Sequence, residues 1–215
     1  MPPAYVKRCS TVNVLQNLLA RLRPAEPAEP APEPAAPERA DWLVVGLGNP
    51  GAQYGATRHN AGHMVLDELA DTDLSEAAGA TVVTLRPRTY MNLSGEAVAP
   101  LARRLGVPAE RVIVVHDELD LAPGVVRVRA GGSENGHRGL KSLTGHLDTR
   151  DYLRVRVGVG RPPQGMSVPD WVLAPIDDAA SADLGAGVAL AARAVELIVS
   201  EGLTAAQNRI HRRLG

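Results

Sequence analysis

An amide and an imidazole, Asn49 and His59, lie in the run LVVGLGNPGAQYGATRHNAG that spans residues 43–62. The run opens as an apolar strand, so both side chains fall in the loop leaving its carboxyl end, where open α/β sheets bind ligands. An imidazole there can take a proton near neutral pH. Three further segments concentrate polar groups at the ends of elements. TYMNLSGEAV (89–98) brings Met91 and Asn92 out of a loop into a helix that Ser94 is placed to cap. HDELDL (116–121) follows the apolar run RVIVV, so Asp117 emerges at a strand end as Asn49 does, and the glycine-rich GGSENGHRGL (131–140) leads through His137 into a helix. Singly these read as a helix cap, a solvated turn and a satisfied histidine. Jointly they supply what general-base chemistry needs: an imidazole, a carboxylate for its other ring nitrogen, and amides to hold the attacked group.

The elements that must position these groups follow from hydrophobic period. Strands are expected at WLVVGL, TVVTL, RVIVV, VVRVR and LRVRVGV, and helices near 61–70, 95–105, 138–147 and 177–201. Such alternation predicts an α/β sheet with helices on its faces. Gly46, Gly48 and Gly51 spell GxGxxG after a strand, the form of a dinucleotide-binding turn. In that turn the helix opens on the glycines, whereas Pro50, Gly51, Gly55 and the polar run to Asn60 predict a continued loop, and no acidic residue ends a second strand at the right distance.

A chain of 215 residues, 45% hydrophobic and without phenylalanine, suffices for one domain packed with Val, Leu, Ala and Ile, with some chain left over. Residues 24–40 are nearly all Pro, Ala and Glu and predict a disordered, fairly stiff linker, so that 1–40 reads as an extension and 41–215 as the domain. Ahead of the linker, Val14, Leu15, Leu18, Leu19 and Leu22 recur at helical spacing among Lys7, Arg8, Arg21 and Arg23. That stretch is either a short basic amphipathic helix or unordered, and a mitochondrial transit peptide stays open as its role. No apolar run reaches the ~18 residues of a membrane span and no secretory signal is evident, which predicts a soluble, cytoplasmic protein with no membrane partner. The single cysteine, Cys9, excludes an internal disulfide and a cysteine-based metal site.

The motifs GLGNPG…TRHNAG, YMNLSGEAV, HDELDL, GGSENGHRGL, LRVRVGVGRP, the WVL run near Val172 and GLTAAQNRIH together resemble bacterial peptidyl-tRNA hydrolase, in order from 42 to 211. The resemblance implies a single-domain, three-layer α/β fold with a mixed, mostly parallel sheet, acting as a monomer without cofactor or metal. It implies hydrolysis of the ester between a peptide and the 3′ ribose of tRNA. His59 then stands where the family has its general base, Asp117 where it has the orienting carboxylate, and Asn49 and Asn92 where amides position substrate and water. Tyr54, Met91, Asn92, His137 and Arg138 fall at substrate-binding positions, and Arg127 and Arg156 at positions that clamp tRNA phosphate.

Between Val125 and Arg161 eight Lys or Arg face three acids, a local basic excess in a chain of net charge −1. Two features depart from the family pattern. The 31 residues between His59 and Met91 are few, predicting a smaller sheet or an exposed sheet edge, and Arg138 replaces a usual Asn after His137. A catalytically weak homologue serving as an RNA- or protein-binding module is the alternative, as in the plant chloroplast relatives that act in intron splicing. A metal centre on Asp117, Glu118 and Asp120 is a third reading.

Overall fold

A computed structural model describes residues 37–211. The expected N-terminal helix, its targeting alternative and the linker up to residue 36 lie outside the described residues. Strands β1 (Trp42–Gly46), β2 (Val82–Leu85), β3 (Val112–Glu118), β4 (Val126–Ala130) and β5 (Leu153–Gly158) form one sheet in the order β2-β1-β3-β5-β4. Every neighbouring pair is parallel except β4 with β5. The central β3 is buried at every residue, which its unbroken VIVV run requires of a strand covered on both faces.

The helices are α1 (Ala61–Glu68), α2 (Leu74–Ala78), α3 (Ser94–Leu105), α4 (Arg138–Leu147), α5 (Val168–Leu173), α6 (Asp178–Glu201) and α7 (Leu203–Ile210). One core cluster joins Val44, Ile113, Val115, Val155 and Val157 of the sheet to Val65 of α1 and Val195 and Ile198 of α6. The other joins Leu43, Val45, Val112 and Val114 to Val98 and Leu105 of α3 and Leu140 and Leu143 of α4. Two helical layers around a sheet are the three-layer fold expected. In β4 and β5 the valines enter the first core, while Arg127 opposite Arg156 and Arg129 opposite Arg154 stand on the other face.

Both sheet edges are guarded by side chains. On β2 the Val82 N–H donates to Ser75 Oγ of α2 at 3.0 Å. On β4 the Val128 N–H donates to His211 Nε2 at 2.9 Å, and Gln207 Nε2 of α7 donates to Val128 O at 3.2 Å. The short stretch after His59 therefore still supplies α1, α2 and an edge strand, and α2 caps the edge that the spacing left open.

The glycines that mimic a nucleotide fingerprint have a packing reason instead. A Cβ on Gly46 would lie 2.3 Å from Gly62 O, and one on Gly62 would lie 2.4 Å from Val115 O. Two bare backbones thus bring the first turn of α1 against the ends of β1 and β3, and the turn just before α1 carries His59. Gly62→Ala is expected to cost about 1–3 kcal/mol through overpacking, read as a lowered denaturant midpoint, and to reduce activity by moving His59.

Candidate active site

His59 lies in a 3₁₀ turn, Arg58–Asn60, between β1 and α1. Its Nδ1 is 2.9 Å from Oδ1 of Asp117, near the end of β3. A second imidazole reaches the same oxygen: His137 Nε2 is also 2.9 Å from Asp117 Oδ1. The His137 tautomer follows from its other nitrogen, because the Leu140 N–H donates to Nδ1 at 3.3 Å, capping α4. Nε2 therefore carries the hydrogen given to Asp117. Since Asp117 can only accept when ionised, His59 likewise donates through Nδ1, which leaves its Nε2 lone pair for a proton.

Electrostatics agree with that division. Burial alone pulls His59 down, but the charge and hydrogen bond of Asp117 outweigh it and raise the pKa above 6.5, against an opposing push from Arg138. Burial would raise Asp117, yet the two histidines hold its carboxyl well below 3.8. His116, whose Nδ1 donates to Asp117 O at 2.7 Å, is pushed down to about 3 by burial and by His137, so it stays neutral. Upstream of His59, the buried Arg58 lies over the Trp171 ring of α5 at 3.6 Å and pairs with Asp177 at 3.5 Å. The WVL run thus braces the turn that holds His59.

Asn49 is buried, and its Oδ1 accepts from the Met91 N–H at 2.8 Å. Its backbone is clamped by the Asn60 amide, which accepts from Asn49 N at 2.9 Å and donates to Asn49 O at 3.0 Å. The Asn49 Nδ2 has no partner among the described residues. Met91 begins the turn Met91–Leu93 that carries the exposed Asn92. Met91 itself is 3% exposed and packs in the α3–α4 core with Leu47 and Leu140. Ser94 does not accept as a cap either: its hydroxyl donates to Met91 O at 2.8 Å. Tyr54 is half-buried, and its carbonyl accepts from the Thr57 hydroxyl at 2.8 Å.

Both ring nitrogens of His137 are bonded within the protein. Arg138 is exposed and lines an open groove with Asn92, Lys141, Ser142, Gly145 and His146.

The basic stretch resolves into paired and unpaired cations. Arg156 bonds Glu118 at 2.9 Å, Arg150 bonds Glu134 at 2.8 Å and Arg161 pairs with Asp120. The Glu118 partner of Arg156 sits on the adjacent β3, a contact spacing does not reveal. Arg127 donates to Val126 O, and Arg127, Arg129, Arg138 and Lys141 have no ion-pair partner among the described residues. Arg129 is the cation that sequence reasoning left out of the clamp, although the VRVR alternation places it on one face with Arg127.

The three-carboxylate metal reading meets the same partners, for Asp117, Glu118 and Asp120 are each held by different cations or histidines. His59, Asp117 and His137 do bring ligand-type atoms within 4.8 Å of one another. Those atoms are already joined by hydrogen bonds that the Leu140 N–H fixes in direction.

An imidazole oriented by a buried carboxylate, at the carboxyl edge of a mostly parallel sheet, is the arrangement that general-base hydrolysis needs. A family model described as peptidyl-tRNA hydrolase matches residues 43–214, and the chain belongs to that family. Peptidyl-tRNA hydrolase 2 of Corynebacterium glutamicum is 55% identical over 196 residues, covering 85% of this chain and 93% of that protein. Peptidyl-tRNA hydrolase of Cutibacterium acnes is 48% identical over 195 residues, covering 79% of this chain and 98% of that protein. The second match takes in 79% of 215 residues, about 170, so that relative has about 25 with no counterpart here, in keeping with the short spacing after His59. The crystal structure of peptidyl-tRNA hydrolase from Acinetobacter baumannii superposes with a TM-score of 0.72 at 34% identity, covering 79% of this chain and 94% of that one.

Proposed function

We propose that this enzyme hydrolyses the ester joining a peptide, or an N-blocked aminoacyl group, to the 3′ ribose of tRNA, with His59 as general base. The observation that carries the reading is the 2.9 Å bond from His59 Nδ1 to Asp117, which leaves Nε2 as the free lone pair. A water gives its proton to Nε2 as its oxygen adds to the ester carbonyl. Asn49 Nδ2, with Asn92 beside it in sequence to Met91, donates toward the oxyanion that forms. Collapse of the adduct expels the ribose oxygen, which takes the proton back from the imidazolium, releasing peptide acid and free tRNA. An ester is activated enough that no covalent nucleophile is needed.

The direct test is incubation with N-acetyl-aminoacyl-tRNA beside His59→Ala. Equal inertness of both proteins with tRNA still bound would favour the binding-module alternative. A chelator is expected to leave the rate unchanged, and its loss on chelation would return the His59, Asp117 and His137 cluster to a metal role. Arg138 and Lys141, in the groove that Asn92 enters, suit the 3′ phosphates. Arg127 and Arg129 suit phosphates farther along the tRNA. Arg127→Ala and Arg129→Ala are each expected to flatten the slope of log binding constant against log salt by about 0.7–0.9, one phosphate contact, as measured by filter binding. Arg156→Ala should leave that slope nearly unchanged because Glu118 already neutralises it. We place the activity in the cytoplasm, where tRNA is recycled for translation. No helix among the described residues is long and apolar enough to cross a membrane.

A further inference from the structure

Arg154 of β5 is 2% exposed, and no carboxylate bonds it directly. A buried guanidinium is costly unless its donors are used, so what they hold is informative. One terminal nitrogen donates to Ser133 O at 2.7 Å; the other donates to Gly132 O at 2.8 Å and to Tyr152 Oη at 3.1 Å.

Arginine only donates, so the Tyr152 oxygen accepts, and its single hydrogen reaches Thr144 Oγ1 at 3.1 Å or Leu140 O at 3.4 Å. The Thr144 hydroxyl donates in turn to Glu134 Oε1 at 2.8 Å, and Arg150 Nε donates to the same oxygen at 2.8 Å. A cation is thereby joined to a carboxylate through two hydroxyls, each polarising the next.

Both carbonyls held by Arg154 belong to the glycine-rich loop before α4. Gly132 has φ +104°, a conformation suited to glycine, and four residues after Ser133 the loop closes with the His137 N–H on Glu134 O at 2.8 Å. His137 then caps α4 and donates to Asp117.

We propose that Arg154 is a positioning residue that sets where His137, and through it the Asp117 carboxylate, stands. The inference rests on the reading that Asp117 orients His59. Tyr152, Thr144 and Glu134 hold the guanidinium in place, and its burial keeps it from tRNA phosphate.

Two variants test this without relying on Arg154→Ala, which removes a buried cation outright. Arg154→Lys keeps the charge but cannot span both carbonyls and the phenol, and Tyr152→Phe keeps the ring but cuts the hydroxyl chain. In Arg154→Lys, kcat on N-acetyl-aminoacyl-tRNA is expected to fall about tenfold to a hundredfold with KM within about twofold, as for a small misplacement of the reacting groups. Tyr152→Phe should show a smaller loss in the same direction. In both, the ¹⁵N-resolved imidazole signals of His137 should lose the hydrogen-bonded Nε2–H state. A rise in KM at constant kcat would overturn the proposal by showing a tRNA contact. Unchanged His137 signals in both variants would overturn it as well, as would a lowered melting temperature with normal kcat. Were the wild-type protein inert on the ester, the proposed function would fail while the His137 signals still tested the lock.

Discussion

Replacing His59 by alanine is expected to cut kcat for N-acetyl-aminoacyl-tRNA hydrolysis by about 10²–10⁴-fold, with KM changed by less than about threefold. The size is that of a positioned general base. KM should be spared because the proposed tRNA contacts are the unpaired arginines and Lys141 rather than this imidazole. The wild-type enzyme should also carry a signature in pH. The base works only when neutral, and Asp117 raises its pKa above 6.5, so kcat/KM should fall as pH drops through a value higher than an ordinary histidine's. Stability should run the opposite way. A raised folded-state pKa contributes stability that is fully present below the unfolded value near 6.5 and is lost as pH rises through the folded one. Over that window the protein gains activity while giving up the part of its stability that the His59–Asp117 pair supplies. An acid limb below 6.5, or a His59→Ala enzyme as fast as wild type, would remove His59 from the chemistry.

What the sequence disclosed about this site depended on whether a residue's partner is local. Strand period placed Asp117 at the end of β3 and His59 in the loop after β1, and both stand there. Their meeting needed only a parallel β1–β3 pair, which buried β-branched runs predict. The pairing of Arg156 was not legible because its partner, Glu118, is 38 residues away on a neighbouring strand. The glycine fingerprint could be set aside from the loop that follows it, but its packing reason was not legible. Gly46 answers to Gly62, a contact made only once α1 is docked. Helices α2 and α5 escaped the periodic reading because they span five and six residues, too short for a repeating face. The folded chain caps both with side chains: Asp73 accepts from the Ser75 and Glu76 N–H groups, and Ser167 from the Asp170 N–H. Arg154 looked like one more surface cation in an alternating strand. Its inward position depends on a loop whose carbonyls only the folded chain brings to it.

Asp117→Asn isolates the charge of the orienting carboxylate from its shape. An asparagine oxygen in the place of Oδ1 can still accept from both His59 Nδ1 and His137 Nε2, which reach that one atom at 2.9 Å each. With the charge gone, burial and Arg138 still lower the His59 pKa and only the hydrogen bond to the amide oxygen remains to raise it. The acid limb of kcat/KM should therefore move to lower pH. Chemistry should suffer although more of the base is neutral, because the imidazolium formed in the transition state loses its counter-charge and the amide group permits the wrong tautomer. We expect kcat to fall about a hundredfold or more, bounded by the loss seen in His59→Ala, since an orienting group contributes only through the base it orients. Stopped-time assays across pH 5 to 9 on both single variants and the double variant decide the matter. Two residues acting as one unit predict a double variant no slower than His59→Ala. Losses that multiply, or an acid limb that stays in place, would mean that Asp117 serves the fold alone and that His59 draws its basicity from elsewhere.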